Sequence, residues 1–318
     1  MAYYLGIDGG GTKTRCVLAD DKAVLASAMA GGSNIVRLGE VQAREALHTA
    51  VRKVCELAGI SPDQVSAVCI GAAGAARPEI AAKIRGILAD VISATPPARI
   101  EVVGDSVIAL EAAFGAGPGI IVIAGTGSIV FGRDAAGHTA RAGGWGFAIS
   151  DEGSGHWIGC RATSAILAAH DQGLETALTD MVLQAWKLST LDELVQQANA
   201  TPPPDFPRLF PGVLRAATEG DSVACDLLSE AGVKLATLAA TVVRRLAPHL
   251  PSGLLPIAMT GSVFRQSQQV REVFYNTLRS DFRGIDVRQQ LADPVEGALI
   301  RARAIHNLEA GMAPSEAG

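Results

Sequence analysis

Tyr4-Leu5-Gly6-Ile7-Asp8-Gly9-Gly10-Gly11-Thr12-Lys13-Thr14 is the stretch from which the rest of the chain is read. An apolar run ends in Asp8, three glycines follow, and Thr14 to Leu18 returns to β-branched and apolar character. Glycine reaches φ > 0 and lets backbone approach a ligand, so three together after a strand predict a tight turn lined with amides. Two familiar phosphate loops do not fit. A P-loop needs Lys directly after its last glycine, where Thr12 stands. A dinucleotide fingerprint needs a helix after the glycines, where this chain offers a second strand. What remains is a hairpin: a plain turn, or one that holds a phosphate with backbone N–H groups and the Thr12 hydroxyl.

The 318 residues suggest two domains, and 48% hydrophobic with 19% charged residues describes a globular chain with a large core. Aromatic residues are only 4%, so aliphatic and alanine-rich helices must do the packing. A net charge of −5 argues against nucleic acid or an anionic membrane surface as a partner. No basic leader precedes an apolar core, and no apolar run approaches the roughly 18 residues of a membrane span, so a cytoplasmic protein is expected. Cys16, Cys55, Cys69, Cys160 and Cys225 are scattered without a CxxC pair, which leaves neither metal nor disulfide spacing.

Further along, Asp20-Asp21 reads as a turn and Ala23 to Ala28 as a third strand. Glu40 to Ala58 keeps apolar residues at helical spacing and stops at Gly59. Val65 to Ile70 and Ile100 to Val103 are continuous apolar runs, as in strands buried on both faces, with helices predicted from Pro78 and from Val107 to Phe114. Gly115 to Gly119 breaks the composition. The opening pattern then returns: strand Gly119 to Ala124, turn Gly125-Thr126-Gly127-Ser128, strand Ile129 to Phe131. Helices are expected at Gly155–His170, Leu178–Glu193, Asp221–Leu246, Arg265–Leu278 and Val295–His306. Leu254 to Met259 reads as a strand ending in a third glycine turn, Thr260-Gly261-Ser262, and a disordered tail is expected from Gly311.

The order of these motifs resembles the sugar kinase, actin and heat-shock ATPase superfamily. The motifs are Gly9-Gly10-Gly11-Thr12, Gly125-Thr126-Gly127-Ser128 and Thr260-Gly261-Ser262. Within it, Asp8, Ser33-Asn34, Gly104-Asp105, Gly143-Gly144-Trp145-Gly146 and Asp151-Glu152-Gly153-Ser154 make the chain similar to N-acetylglucosamine kinases of the BadF/BadG/BcrA/BcrD type. The resemblance implies an α/β fold of two duplicated ribonuclease-H-like domains, residues 1–116 and 117–292, around a nucleotide and sugar cleft. A last helix, about 293–308, would return to the first domain.

It further implies ATP with Mg²⁺, and a 6-hydroxyl phosphorylated on an amino sugar. Gly10, Gly11, Thr12, Thr126 and Gly127 would face the phosphates, and Gly261 and Ser262 the adenosine; Lys13 could add positive charge there, a role the resemblance does not itself assign. Asp8 would serve magnesium through water; its plain alternative is a carboxylate capping its own turn. Lys13 has an equally simple reading as an exposed hairpin lysine. Asp105, at the end of a buried strand, would be the catalytic base, or else only a helix N-cap. Asn34, Asp105, Gly144, Trp145 and Asp151 would hold the sugar, with core packing the alternative for Trp145. Glucosamine or N-acetylmuramate are rival acceptors, because Ile35 and the run Phe147 to Ser150 depart from the family pattern beside the sugar residues. An ATPase activator of acyl-CoA reductases or dehydratases, and a non-catalytic sugar sensor, are rivals of other classes. A homodimer is a further implication of the family.

Overall fold

β1 (Tyr4–Gly9), β2 (Lys13–Ala19) and β3 (Val24–Gly31) pair antiparallel in succession. β4 (Ala67–Ala72) and β5 (Ile100–Val103) then add in parallel on the other side of β1, giving the order β3-β2-β1-β4-β5. The computed structural model describes residues 1–93, 96, 99–249 and 255–311. The chain divides into two compact units, Met1–Gly117 with Ala292–Gly318, and Pro118–Leu291.

In the first unit every residue of β4 is buried, as befits a parallel strand covered on both faces. One face packs beneath α1 (Ile35–Leu38), α2 (Glu40–Ala58) and α3 (Pro78–Val91), with Leu5, Ile7, Leu47, Val51, Ile70 and Leu88 in a single cluster. α2 has the predicted limits, and Gly59 ends it in the left-handed region at φ 70° while its N–H caps the Cys55 and Glu56 carbonyls. The other face carries α4 (Asp105–Phe114) and the C-terminal helix Pro294–Gly311, whose Val295, Ala298 and Leu299 cluster with Ile108 of α4 and with Tyr4 and Cys69 of the sheet. Backbones come very close there: a Cβ on Gly297 would stand 1.9 Å from the Ile108 carbonyl oxygen. Arg301 fastens the same helix by donating from Nε and Nη2 to the Glu101 carboxylate at 2.8 and 2.5 Å.

The second unit repeats the plan. β6 (Gly119–Ala124), β7 (Ser128–Arg133) and β8 (Thr139–Gly143) form an antiparallel meander. Between β8 and the next strand stand α5 (Gly155–Asp171), α6 (Ala177–Trp186), α7 (Leu191–Ala198), α8 (Phe210–Thr218) and α9 (Ser222–Leu246). β9 (Ile257–Thr260) then joins β6 in parallel, for the order β8-β7-β6-β9. The place of a fifth strand is taken by one parallel bridge, Ile257 to Val287. α10 (Ser262–Gln266) and α11 (Gln268–Asp281) follow β9, and α9 supplies Leu228, Leu235, Val242 and Leu246 to the core of this unit.

Some expected elements differ. The single helix over Leu178–Glu193 is two, because Lys187 takes a left-handed φ of 59° and Thr190 starts α7 by accepting from the Glu193 N–H. The helix expected from Arg265 to Leu278 is likewise broken, with Ser267 capping α11 through the Val270 N–H. β8 was not expected, since Thr139-Ala140-Arg141-Ala142-Gly143 lacks apolar alternation; the ladder to β7 makes it a strand. Leu254 and the tail past Gly311 lie outside the described residues.

Gly297→Ala forces a methyl group into the Ile108 backbone, so overpacking should lower unfolding stability by about 1–3 kcal/mol in urea titration. An unchanged midpoint would contradict this close helix crossing.

Candidate active site

Gly9 pairs with Thr14, which leaves four residues to reverse the chain, closed by the Gly10 N–H donating to the Lys13 carbonyl at 3.0 Å. The N–H groups of Gly11 and Thr12 have no partner among the described residues, and Thr12 and Lys13 are exposed. The turn is braced from behind. Ser33 is buried, its N–H donates to the Gly10 carbonyl at 3.0 Å, and its Oγ accepts from Thr14 Oγ1 at 2.8 Å. Successive amides facing outward from a braced turn form a site for an anion.

Asp8 lies at the carboxyl end of β1, in register with Gly71 of β4, and Gly71 is in register with Val103 of β5. Asp105 stands two residues past Val103, so both carboxylates occupy the edge of the sheet where α/β folds hold ligands. Asp105 is not the cap of α4. Gly104 is the N-cap, and Asp105 begins the first turn. Its Oδ1 accepts from the Ser106 N–H at 2.9 Å, and no side chain among the described residues pairs with it. Burial pushes its carboxyl above the ordinary carboxylate range, partly offset by the Ser106 N–H.

The hairpin turn of the second unit is shorter, with Ala124 opposite Ser128 and Gly125 N–H donating to the Gly127 carbonyl at 2.9 Å. Here too the N–H groups of Thr126 and Gly127 have no partner among the described residues. Its carbonyls are taken by the start of α5: Gly155 N–H donates to Gly125 at 2.8 Å and His156 N–H to Thr126 at 3.1 Å. The Asp151–Ser154 segment lies behind it. The Asp151 Oδ1 accepts from the Ser128 N–H at 3.2 Å, and the Ser128 hydroxyl donates to the Glu152 carbonyl at 2.8 Å. Gly261, the third glycine turn, packs on Ala124 so closely that a Cβ would meet the Ala124 carbonyl oxygen at 2.2 Å, which sets Ser262 beside the same turn.

The residues expected to hold the sugar are less uniform. Asn34 caps α1, its Oδ1 accepting from the Val36 and Arg37 N–H groups at 3.0 and 3.3 Å. Gly144 sits at φ 69° against the Ile129 side chain. Trp145 is 67% exposed with the Arg141 guanidinium 3.9 Å over its ring, so core packing is not its role. Asp151 is buried and holds a φ of 76°. Sequence reasoning gave no part to Ser33, beyond quoting it, nor to Ser128 and Glu152, which brace the two turns. A buried serine next to a glycine turn is the signal that was available.

All five cysteines are reduced, and burial pushes Cys55 and Cys160 up to about 11. No group of three or more His, Cys, Asp or Glu among the described residues is arranged to hold a metal. A single carboxylate beside a glycine turn, as Asp8 is, suits a magnesium ion, which keeps most of its own waters. Among the described residues no helix is long and apolar enough to cross a membrane.

Two sheets of one strand order, each opening on a glycine turn with unsatisfied amides, define the duplicated ribonuclease-H-like fold of the actin-like ATPases. More narrowly, the chain belongs to the BadF/BadG/BcrA/BcrD ATPase family, whose model matches residues 5–302. It is 34% identical over 308 residues to the N-acetylmuramic acid/N-acetylglucosamine kinase of Clostridium acetobutylicum, covering 95% of this chain and 99% of that protein. With the glucosamine kinase of Vibrio cholerae it shares 30% over 315 residues, covering 97% and 98%. A solved structure from Chromobacterium violaceum matches with a TM-score of 0.72 at 31% identity, covering 95% of this chain and 99% of that one.

A carboxylate whose folded pKa is raised contributes stability at low pH that is lost as pH rises through that pKa. Ionised Asp105 therefore weakens the fold, and Asp105→Asn, which keeps an oxygen for the Ser106 N–H, relieves it. The variant should melt higher than the wild type near about pH 7.5, with the difference closing below about pH 4. Equal melting at both pH values would contradict the buried carboxyl.

Proposed function

We propose that the protein is an ATP-dependent amino-sugar kinase that transfers the γ-phosphoryl group to the 6-hydroxyl of N-acetylglucosamine, with Asp105 as general base. The observation that carries this reading is Asp105 itself. It is a carboxylate at the ligand-bearing end of β5, with one backbone partner, no paired cation and a raised pKa.

Phosphoryl transfer asks the protein chiefly for positioning and for donors to the phosphate oxygens. The Gly11 and Thr12 amides of the first glycine turn are such donors, with Lys13 adding positive charge, and so are the Thr126 and Gly127 amides of the second. Gly261 and Ser262 line the adenosine side. Asp8 orients magnesium through its waters, and the ion neutralises charge on the phosphates when bound. Asn34, whose amide nitrogen remains available beyond its capping role, together with Gly144, Trp145 and Asp151, holds the sugar. Asp105 accepts the proton from the attacking hydroxyl as the bond to phosphorus forms. Residence in the cytoplasm, where ATP is supplied, belongs to the same reading.

The acceptor is tested by a coupled assay with N-acetylglucosamine, N-acetylmuramate, glucosamine and glucose. The reading expects the highest kcat/KM with N-acetylglucosamine. A clear preference for glucosamine or N-acetylmuramate would reassign the acceptor, and turnover with none would overturn the kinase.

Asp105→Asn should lower kcat by about 10²- to 10⁴-fold, the usual worth of a positioned base, while binding of an ATP analogue survives. Wild-type kcat should fall on the acid side with a midpoint above the ordinary carboxylate range, because the base must be ionised. Near-normal turnover by the variant would remove Asp105 from this role.

A further inference from the structure

Asp151 is where two parts of the second unit meet. Its carboxylate is buried, Oδ1 accepts from the Ser128 N–H at 3.2 Å, and a Cβ on Gly127 would fall 2.9 Å from Oδ2. A side chain at Gly127 would therefore press on the carboxylate packed behind the turn. Asp151 also holds φ at 76°, an uncommon value that Asp, Asn and Gly tolerate better than other residues, and its own carbonyl accepts the Ser154 N–H at 3.0 Å, one residue ahead of α5. A conformation of this kind persists when the surroundings fix the residue in place. Asp151 packs on the turn whose Thr126 and Gly127 amides have no partner among the described residues.

We propose that Asp151 is a positioning residue for the nucleotide: its carboxylate, by holding the Ser128 N–H and packing under Gly127, keeps the Gly125–Ser128 turn shaped to receive phosphate, independently of any sugar. The proposal rests on the kinase reading for the identity of the ligand, but it is distinct from the sugar contact which that reading gives to the same residue. A carboxylate used for sugar alone would leave ATP affinity untouched when no sugar is present. One used to shape the turn would not.

Charge must be separated from geometry, because removing a carboxylate near phosphates by itself favours an anion. Asp151→Asn and Asp151→Gly both remove the charge, and both residue types accept positive φ. Only Asn keeps an oxygen for the Ser128 N–H.

The experiment is titration calorimetry of a non-hydrolysable ATP analogue with Mg²⁺ and no sugar, on the full chain. Asp151→Gly is expected to bind about tenfold more weakly than Asp151→Asn, the worth of one buried backbone hydrogen bond. Equal affinities for the two variants would overturn the proposal. Should Asp151→Gly not fold, Gly127→Ala tests the same contact by pressing a methyl group onto the carboxylate, and wild-type affinity in that variant would overturn it. If the wild type binds no analogue, the nucleotide reading fails and this inference with it; if the wild type binds and the variants agree, only this inference fails.

Discussion

The β1–β2 register, with Gly9 opposite Thr14, obliges the chain to reverse within four residues and leaves amides that nothing in the hairpin can satisfy. The β6–β7 hairpin meets the same constraint with Ala124 opposite Ser128. Outward-facing N–H groups are supplied by water or by an anion, and a braced turn cannot fold inward to hide them. Much of each unit serves to keep those turns in place. Ser33 holds the first, Asp151 and Glu152 the second, and the first turn of α5 takes up the Gly125 and Thr126 carbonyls.

Asp105 shows the accompanying tension. A half-buried carboxyl with no cation paired to it among the described residues costs stability when ionised, and the base role proposed for it requires the ionised form. The first unit offsets such costs elsewhere, through the aliphatic cluster under α2 and α3, the bidentate Arg301–Glu101 pair and the close approach of the C-terminal helix at Gly297. That packing holds β5 and α4 in place, so the carboxylate stays where its own energetics would not leave it.

Much of this was legible in the sequence. Elements with strong period or caps, such as Glu40–Ala58 before Gly59 and the long helix after Asp221, stood where their residues place them. β8 was illegible because its residues carry no strand pattern and owe their state to the β7 ladder. The break at Lys187 was missed because apolar spacing continues across it, although Thr190 and Glu193 carry a capping signal. Among site residues, glycines and acids stood out by type. Their supports did not: Ser128 braces the turn through its N–H and its hydroxyl, and Glu152 through its backbone carbonyl, which no side-chain motif announces. Nor could periodicity tell that Trp145 lies at the surface under Arg141.

The central claim is that the glycine turns and Asp105 serve transfer to a sugar hydroxyl and not ATP hydrolysis alone. The most direct measurement is phosphorus and proton NMR of the products after incubation with ATP, Mg²⁺ and N-acetylglucosamine. The account predicts phosphate coupled to the C6 protons of the sugar, in step with ADP. Inorganic phosphate beside unmodified sugar would contradict it.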